Sequence, residues 1–168
     1  MGSQVSNVWW RRWSVMVVGL LLAAGSVWAT HNRAGEITYT HVEGLTHEVL
    51  ITTYTKSTAL ADRPWLYLTW GDESGPTLDS LERDADNILL LPGEVQVNFY
   101  RGTHTYGGPG NYEIAVEDPN RNDGVLNIDG SVDVPFSIRT LLVINPLAGH
   151  NNSVQLLNSA QQNACRAQ

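Results

Sequence analysis

After residue 30 the sequence alternates with a period of two and nowhere sustains a period of 3.6 for three turns. A chain patterned this way builds sheets, because successive side chains on a strand point to opposite faces while the backbone rises about 3.3 Å per residue. The alternating runs are rich in Val, Ile, Thr, Tyr and Trp and are cut by Gly, Pro, Asn and Asp. The first spans Glu36 to Val42. The second, His47 to Thr55, sets Val49, Ile51 and Thr53 on one face and Leu50, Thr52 and Tyr54 on the other. The third, Trp65 to Trp70, aligns Leu66, Leu68 and Trp70. Gly71 to Asp86 reads as an acidic loop, and Asn87 to Leu91 as a short strand before the Pro92-Gly93 turn. Next, Val95, Val97 and Phe99 are expected inward and Gln96, Asn98 and Tyr100 outward. Asn111 to Glu117 repeats the pattern through Tyr112, Ile114 and Val116. The last run, Val132 to Ile144, contains Pro135, which gives no ladder hydrogen bond and favours an edge or a bulge. About seven strands at this spacing predict an all-β fold: an antiparallel two-sheet β-sandwich.

The first 29 residues follow other rules and read as a signal peptide. Arg11 and Arg12 form a positive start, Trp13 to Ala24 is apolar, and Ser26-Val27-Trp28-Ala29 offers small residues to a signal peptidase. About a dozen apolar residues fall short of the roughly 20 that span a bilayer, so cleavage after Ala29 is expected rather than a retained anchor. Thr30 stands where a lipoprotein needs cysteine. The chain is therefore expected to be exported, to the medium or the outer cell surface, meeting membrane only through this signal.

Charge narrows the partners. The chain has 10 basic and 17 acidic residues, and net charge −7. Nucleic acid is excluded as a partner, because phosphate binding needs clustered Lys and Arg, and here Lys56 is the single lysine. The lone Cys165 is odd for an oxidising compartment. It suggests either a partner cysteine beyond residue 168 or a free thiol on a tail. The organisation expected is residues 30–148 as the domain and 149–168 as a tail or the start of a linker to a further domain.

The stretch His104-Thr105-Tyr106-Gly107-Gly108-Pro109-Gly110-Asn111-Tyr112 resembles the signature of PKD-type domains. Trp70-Gly71-Asp72-Glu73-Ser74 resembles that family's upstream turn in weakened form, with Glu73 where a second glycine belongs and Trp70 directly abutting Gly71. The resemblance implies a PKD/Ig-like sandwich in which these residues determine the fold. Pro109-Gly110 suits a tight turn. Tyr112 can put its ring in the core and its hydroxyl on upstream backbone, as in a tyrosine corner, while Asp72 bonds within its own turn and His104 hydrogen-bonds near the strand end. Thr30-His31-Asn32-Arg33-Ala34-Gly35-Glu36-Ile37, Glu117-Asp118-Pro119-Asn120-Arg121-Asn122 and Ile144-Asn145-Pro146 resemble the N-terminal region of gliding bacteria's surface proteins. Those proteins end in a gliding motility-associated C-terminal domain. The likeness implies surface display or adhesion for the parent chain.

Candidate chemistry is sparse. His31, His41, His47, His104 and His150 lack zinc-ligand spacing, although His41 and His47 flank one turn beside Glu43 and Glu48. No G-x-S-x-G motif occurs, and Asp72, Glu73, Asp79, Glu82, Asp84 and Asp86 read as solvated loop charges rather than a glycosidase pair. No catalytic residue is expected. Asp118, Asn120, Asn122 and Asp123, followed by Gly124, offer oxygen ligands that suit calcium, but such residues also build plain turns. Trp65, Tyr67, Tyr39 and Tyr54 could stack on sugars or pair across strands. Two readings of function follow. One is a non-enzymatic structural or adhesion module that contacts neighbouring domains and surface glycans or proteins. The other is a carbohydrate-binding module accompanying a secreted hydrolase. Exposure of Trp65 and Tyr67 side by side would favour the second.

Overall fold

The computed structural model of the protein describes residues 32–59, 63–72, 78–119, 121–122, 125 and 128–154. Among these residues eight strands form: β1 (Asn32–Glu43), β2 (Thr46–Lys56), β3 (Trp65–Thr69), β4 (Asp79–Glu82), β5 (Leu89–Leu91), β6 (Val95–Thr105), β7 (Gly110–Asp118) and β8 (Phe136–Ile144). They make two four-stranded antiparallel sheets, in the orders β1-β2-β6-β5 and β4-β3-β7-β8. This is the sandwich that the alternation predicts. The proposed signal and Cys165 lie outside the described residues.

The core follows from parity. Ile37, Tyr39, Val49, Ile51 and Tyr100 of the first sheet face Leu66, Leu68, Trp70, Leu81, Ile114, Val116 and Leu142 of the second. Each such side chain contributes about 1.5–3 kcal/mol by leaving water. The sheets approach closely at Gly102, where an added Cβ would sit 2.5 Å from Leu81 Cδ2. Glycine there lets the short β4 tuck its one apolar inward residue against β6.

Three expectations need correction. First, Gly71 to Asp86 is not all loop, since Asp79–Glu82 pairs with β3. Only Leu81 of that strand is buried, so the sequence shows no alternation to read. Second, the faces of β6 are reversed. Tyr100 and Asn98 look into the sandwich, while Val95 and Val97 are buried on the other face of the sheet with Tyr54, beside Ala34, Leu91 and Phe99. Both faces of this strand carry apolar groups, and the larger aromatic takes the core. Arg33 reaches across that outer face to donate to the Gly93 carbonyl at 2.9 Å. Third, the last strand begins only at Phe136, after a 3-10 turn over Ser131–Asp133. Pro135 thus precedes β8, which is an edge strand.

Residues 151–154, at the start of the expected tail, run beside β1. Ser153 N–H donates to the Tyr39 carbonyl at 3.0 Å, and Tyr39 N–H donates to Ser153 Oγ at 2.8 Å. The His41 N–H donates to Asn152 Oδ1 at 2.7 Å. These bonds occupy backbone groups that an edge strand otherwise leaves open.

Candidate functional site

One end of the sandwich gathers the residues of the family-like signature. The indole of Trp70, buried just past β3, stacks on the His104 ring with centroids 5.0 Å apart and planes 11° apart. His104 Nε2 lies 3.1 Å from Asp72 Oδ2, a hydrogen bond from imidazole to carboxylate that links β6 to the turn after β3. Tyr106 meets His104 edge-on at 4.6 Å, and its hydroxyl donates to the Trp70 carbonyl at 3.3 Å. Burial, then the nearby Asp72 and Tyr112, push the Tyr106 phenol far above its ordinary value, so it remains a donor. Trp70 Nε1 donates to Asp79 Oδ2 at 2.9 Å. Tyr112 packs on Tyr106 at 4.1 Å and donates its hydroxyl to the Gly108 carbonyl at 2.8 Å. Thr105 Oγ1 lies 2.8 Å from Thr46 Oγ1 across the ladder. Gly71 takes φ +72°, and a Cβ there would lie 2.6 Å from the Glu113 backbone nitrogen. Pro109 and Gly110 lead into β7, where Gly110 lies under the Tyr112 ring.

Three further histidines share this end. In the β1–β2 hairpin His41 is paired with His47, with ring centroids 5.2 Å apart, and His150 stacks on His41 at 3.9 Å. His41 Nε2 bonds the Gly44 carbonyl at 3.0 Å. Burial lowers the His47 pKa, the Leu45 carbonyl opposes this, and His41 and His150 add to the lowering. Among the described residues, no group of three or more His, Cys, Asp or Glu is placed to hold a metal ion.

The opposite end is polar where a sandwich is usually apolar. Asn98 Nδ2 donates to Thr55 Oγ1 at 3.0 Å and Thr53 Oγ1 at 3.4 Å, while Asn98 Oδ1 accepts from Gln96 Nε2 at 2.7 Å. Arg63 holds Asp118 with two bonds, Nε to Oδ2 at 2.8 Å and Nη2 to Oδ1 at 3.3 Å. The Tyr100 hydroxyl donates to the Arg63 carbonyl at 2.7 Å. Beside this network lies a cleft of about 270 Å³ bordered by Lys56, Arg63, Arg83, Gln96 and Asn98.

Of the four calcium candidates, Asp118 ends β7 and turns its carboxylate to Arg63. Asn122 donates its N–H to the Asn32 carbonyl at 2.8 Å, and its own carbonyl accepts from Ser131 Oγ at 2.9 Å. Asn120 and Asp123 lie outside the described residues. Sequence reasoning did not connect Arg63 with Asp118, which are 55 residues apart.

A third region lies on the outer face of the second sheet. Trp65 and Tyr67 are 48% and 56% exposed and share one face of β3. Their ladder partners on β4 are Glu82 and Ser80. On the same face Arg139 bridges Glu113 and Glu117, at 2.8 Å each. Tyr39 and Tyr54, by contrast, are buried.

No family model, no curated protein and no solved structure matches this chain.

Proposed function

We propose that the chain is a non-enzymatic structural or adhesive module of a bacterial cell-surface protein, exported through its N-terminal signal and PKD-like in fold. The observation that supports this reading is how the signature residues are used. Trp70, Asp72, His104, Tyr106 and Tyr112 direct polar groups at one another or at nearby backbone, and so brace two sheets. The His104 ring, bonded to Asp72, sits between Trp70 and Tyr106, in the manner of a brace rather than an open acid–base site. Neighbouring domains of a longer surface chain, of the gliding-motility type, are its expected contacts. The exposed Trp65–Tyr67 pair favours a second reading, a carbohydrate-binding module accompanying a secreted hydrolase.

The test is where the protein goes. An epitope-tagged chain expressed in a Gram-negative host should lose its signal and be recovered outside the inner membrane. Uncleaved precursor confined to the cytoplasm would sink the surface reading. The coding sequence beyond residue 168 then separates the two readings: further sandwich repeats and a sorting domain support the first, a catalytic domain the second.

A further inference from the structure

The outer face of β3 carries two large rings whose ladder partners on β4 are not aromatic. Aromatic residues on strands ordinarily find bulky cross-strand partners. Here Trp65 stands opposite Glu82 and Tyr67 opposite Ser80. On the other flank, Leu68 pairs with Val116 and Thr69 with Ala115, so one step further in that register sets Glu117 beside Tyr67. Leu66 and Leu68, which alternate with the two rings, are buried, so the strand is firmly seated and the rings cannot turn inward without reversing it. The result is a pair of aromatic planes about 6.6 Å apart along the strand, rimmed by a hydroxyl and two carboxylates.

We propose that this face binds uncharged pyranose glycans, with Trp65 and Tyr67 stacking on the C–H faces of sugar rings and Ser80, Glu82 and Glu117 accepting hydrogen bonds from their hydroxyls. A sugar ring is apolar on its faces and polar at its edge, which is the arrangement this surface offers in reverse. A protein partner fits less well, because interface centres are depleted of charge, and these rings are flanked by carboxylates. Charge selects among glycans. Among the described residues, Glu82, Glu113 and Glu117 lie on this face with Arg139 to offset them, on a chain of net charge −7. Acidic polysaccharides are therefore repelled. The inference rests on the carbohydrate-binding reading and gives it a ligand class and a surface.

Native affinity electrophoresis of the purified chain tests it, through gels cast with β-glucan, xylan or galactomannan, and with polygalacturonate as the anionic comparison. At least one neutral polysaccharide should retard the chain, and polygalacturonate should not. Trp65→Ala and Tyr67→Ala should each weaken retardation about tenfold, the ratio that about 60 Å² of lost ring contact corresponds to. Both positions are exposed, so thermal melts should match the parent. Leu90→Ser, on the edge strand of the other sheet, should bind as the parent does. No retardation by any of the neutral gels, retardation that survives the double variant, or equal retardation by polygalacturonate would each overturn the proposal. None of these outcomes bears on export, which the fractionation reads separately.

Discussion

The two ends of the sandwich solve the same problem with different chemistry. Where β1 turns into β2, the sheets are closed by rings: Trp70, His104, Tyr106 and Tyr112 contact one another in sequence, and a few hydrogen bonds set their angles. At the other end the inward positions of β2 and β6 change from Val49, Ile51 and Tyr100 to Thr53, Thr55, Gln96 and Asn98. There the Arg63–Asp118 pair ties the approach to β3 to the end of β7, and the Tyr100 hydroxyl reaches the Arg63 carbonyl from the other sheet. Ring packing tolerates small shifts and gains with buried area. A hydrogen-bonded network depends on every member, because one missing partner strands another buried polar group. Half of this domain is therefore held by area and half by complementarity.

Substitutions should separate the two. Trp70→Ala removes the largest fully buried side chain together with its stack on His104. It should cost about 3–5 kcal/mol in urea unfolding. A loss below about 1 kcal/mol would mean that the ring stack does not anchor its end.

Asp118→Ala should cost less, about 1–3 kcal/mol, because the Arg63 side chain it abandons is 35% exposed and keeps some hydration. The loss should be nearly the same at low and high salt. Strong salt dependence would place the pair at the surface electrostatically and blur the contrast between the ends.

Acid sharpens it differently. Burial, with His41 and His150 nearby, holds His47 below its ordinary 6.5. The unfolded chain thus takes up a proton first as pH falls. The stability that neutral His47 supports is full above pH 6.5 and is lost as pH drops through the lower folded value. Melting temperature should therefore fall between pH 7 and pH 5, and His47→Gln should flatten that part of the profile. An unchanged profile in the variant would remove His47 as its source.

The smallest effect is expected from Arg139→Ala. Its two bonds to Glu113 and Glu117 are solvent-exposed, so thermal melts should be indistinguishable from the parent. A clear drop would show the outer face to be structural.

This contrast was half legible in the sequence. Alternation located most strands of both sheets, and the resemblance to the PKD signature singled out His104, Tyr106 and Tyr112 without saying that their rings meet. The polar end was hidden for specific reasons. Asn98 looks like an outward residue, and only the burial of Val97 on the opposite face reveals that it points in. Arg63 and Asp118 join elements on distant parts of the chain, which no local pattern records. β4 escaped because an edge strand with one inward leucine has no period. Exposure of Trp65 and Tyr67 could not be read either, since alternation gives the shared face but not which face is covered.

The strap over β1 has a mechanical consequence. Tension arriving from the C-terminal side meets the described fold first at Ser153 and Asn152, not at β8. Their bonds to Tyr39 and His41 join two edges and would be peeled one at a time, at low force. The nine-pair ladder between β7 and β8 takes the load only after that length has paid out. In a chain tethered at a cell surface, the strap would act as a small reserve of slack that yields before the sandwich does.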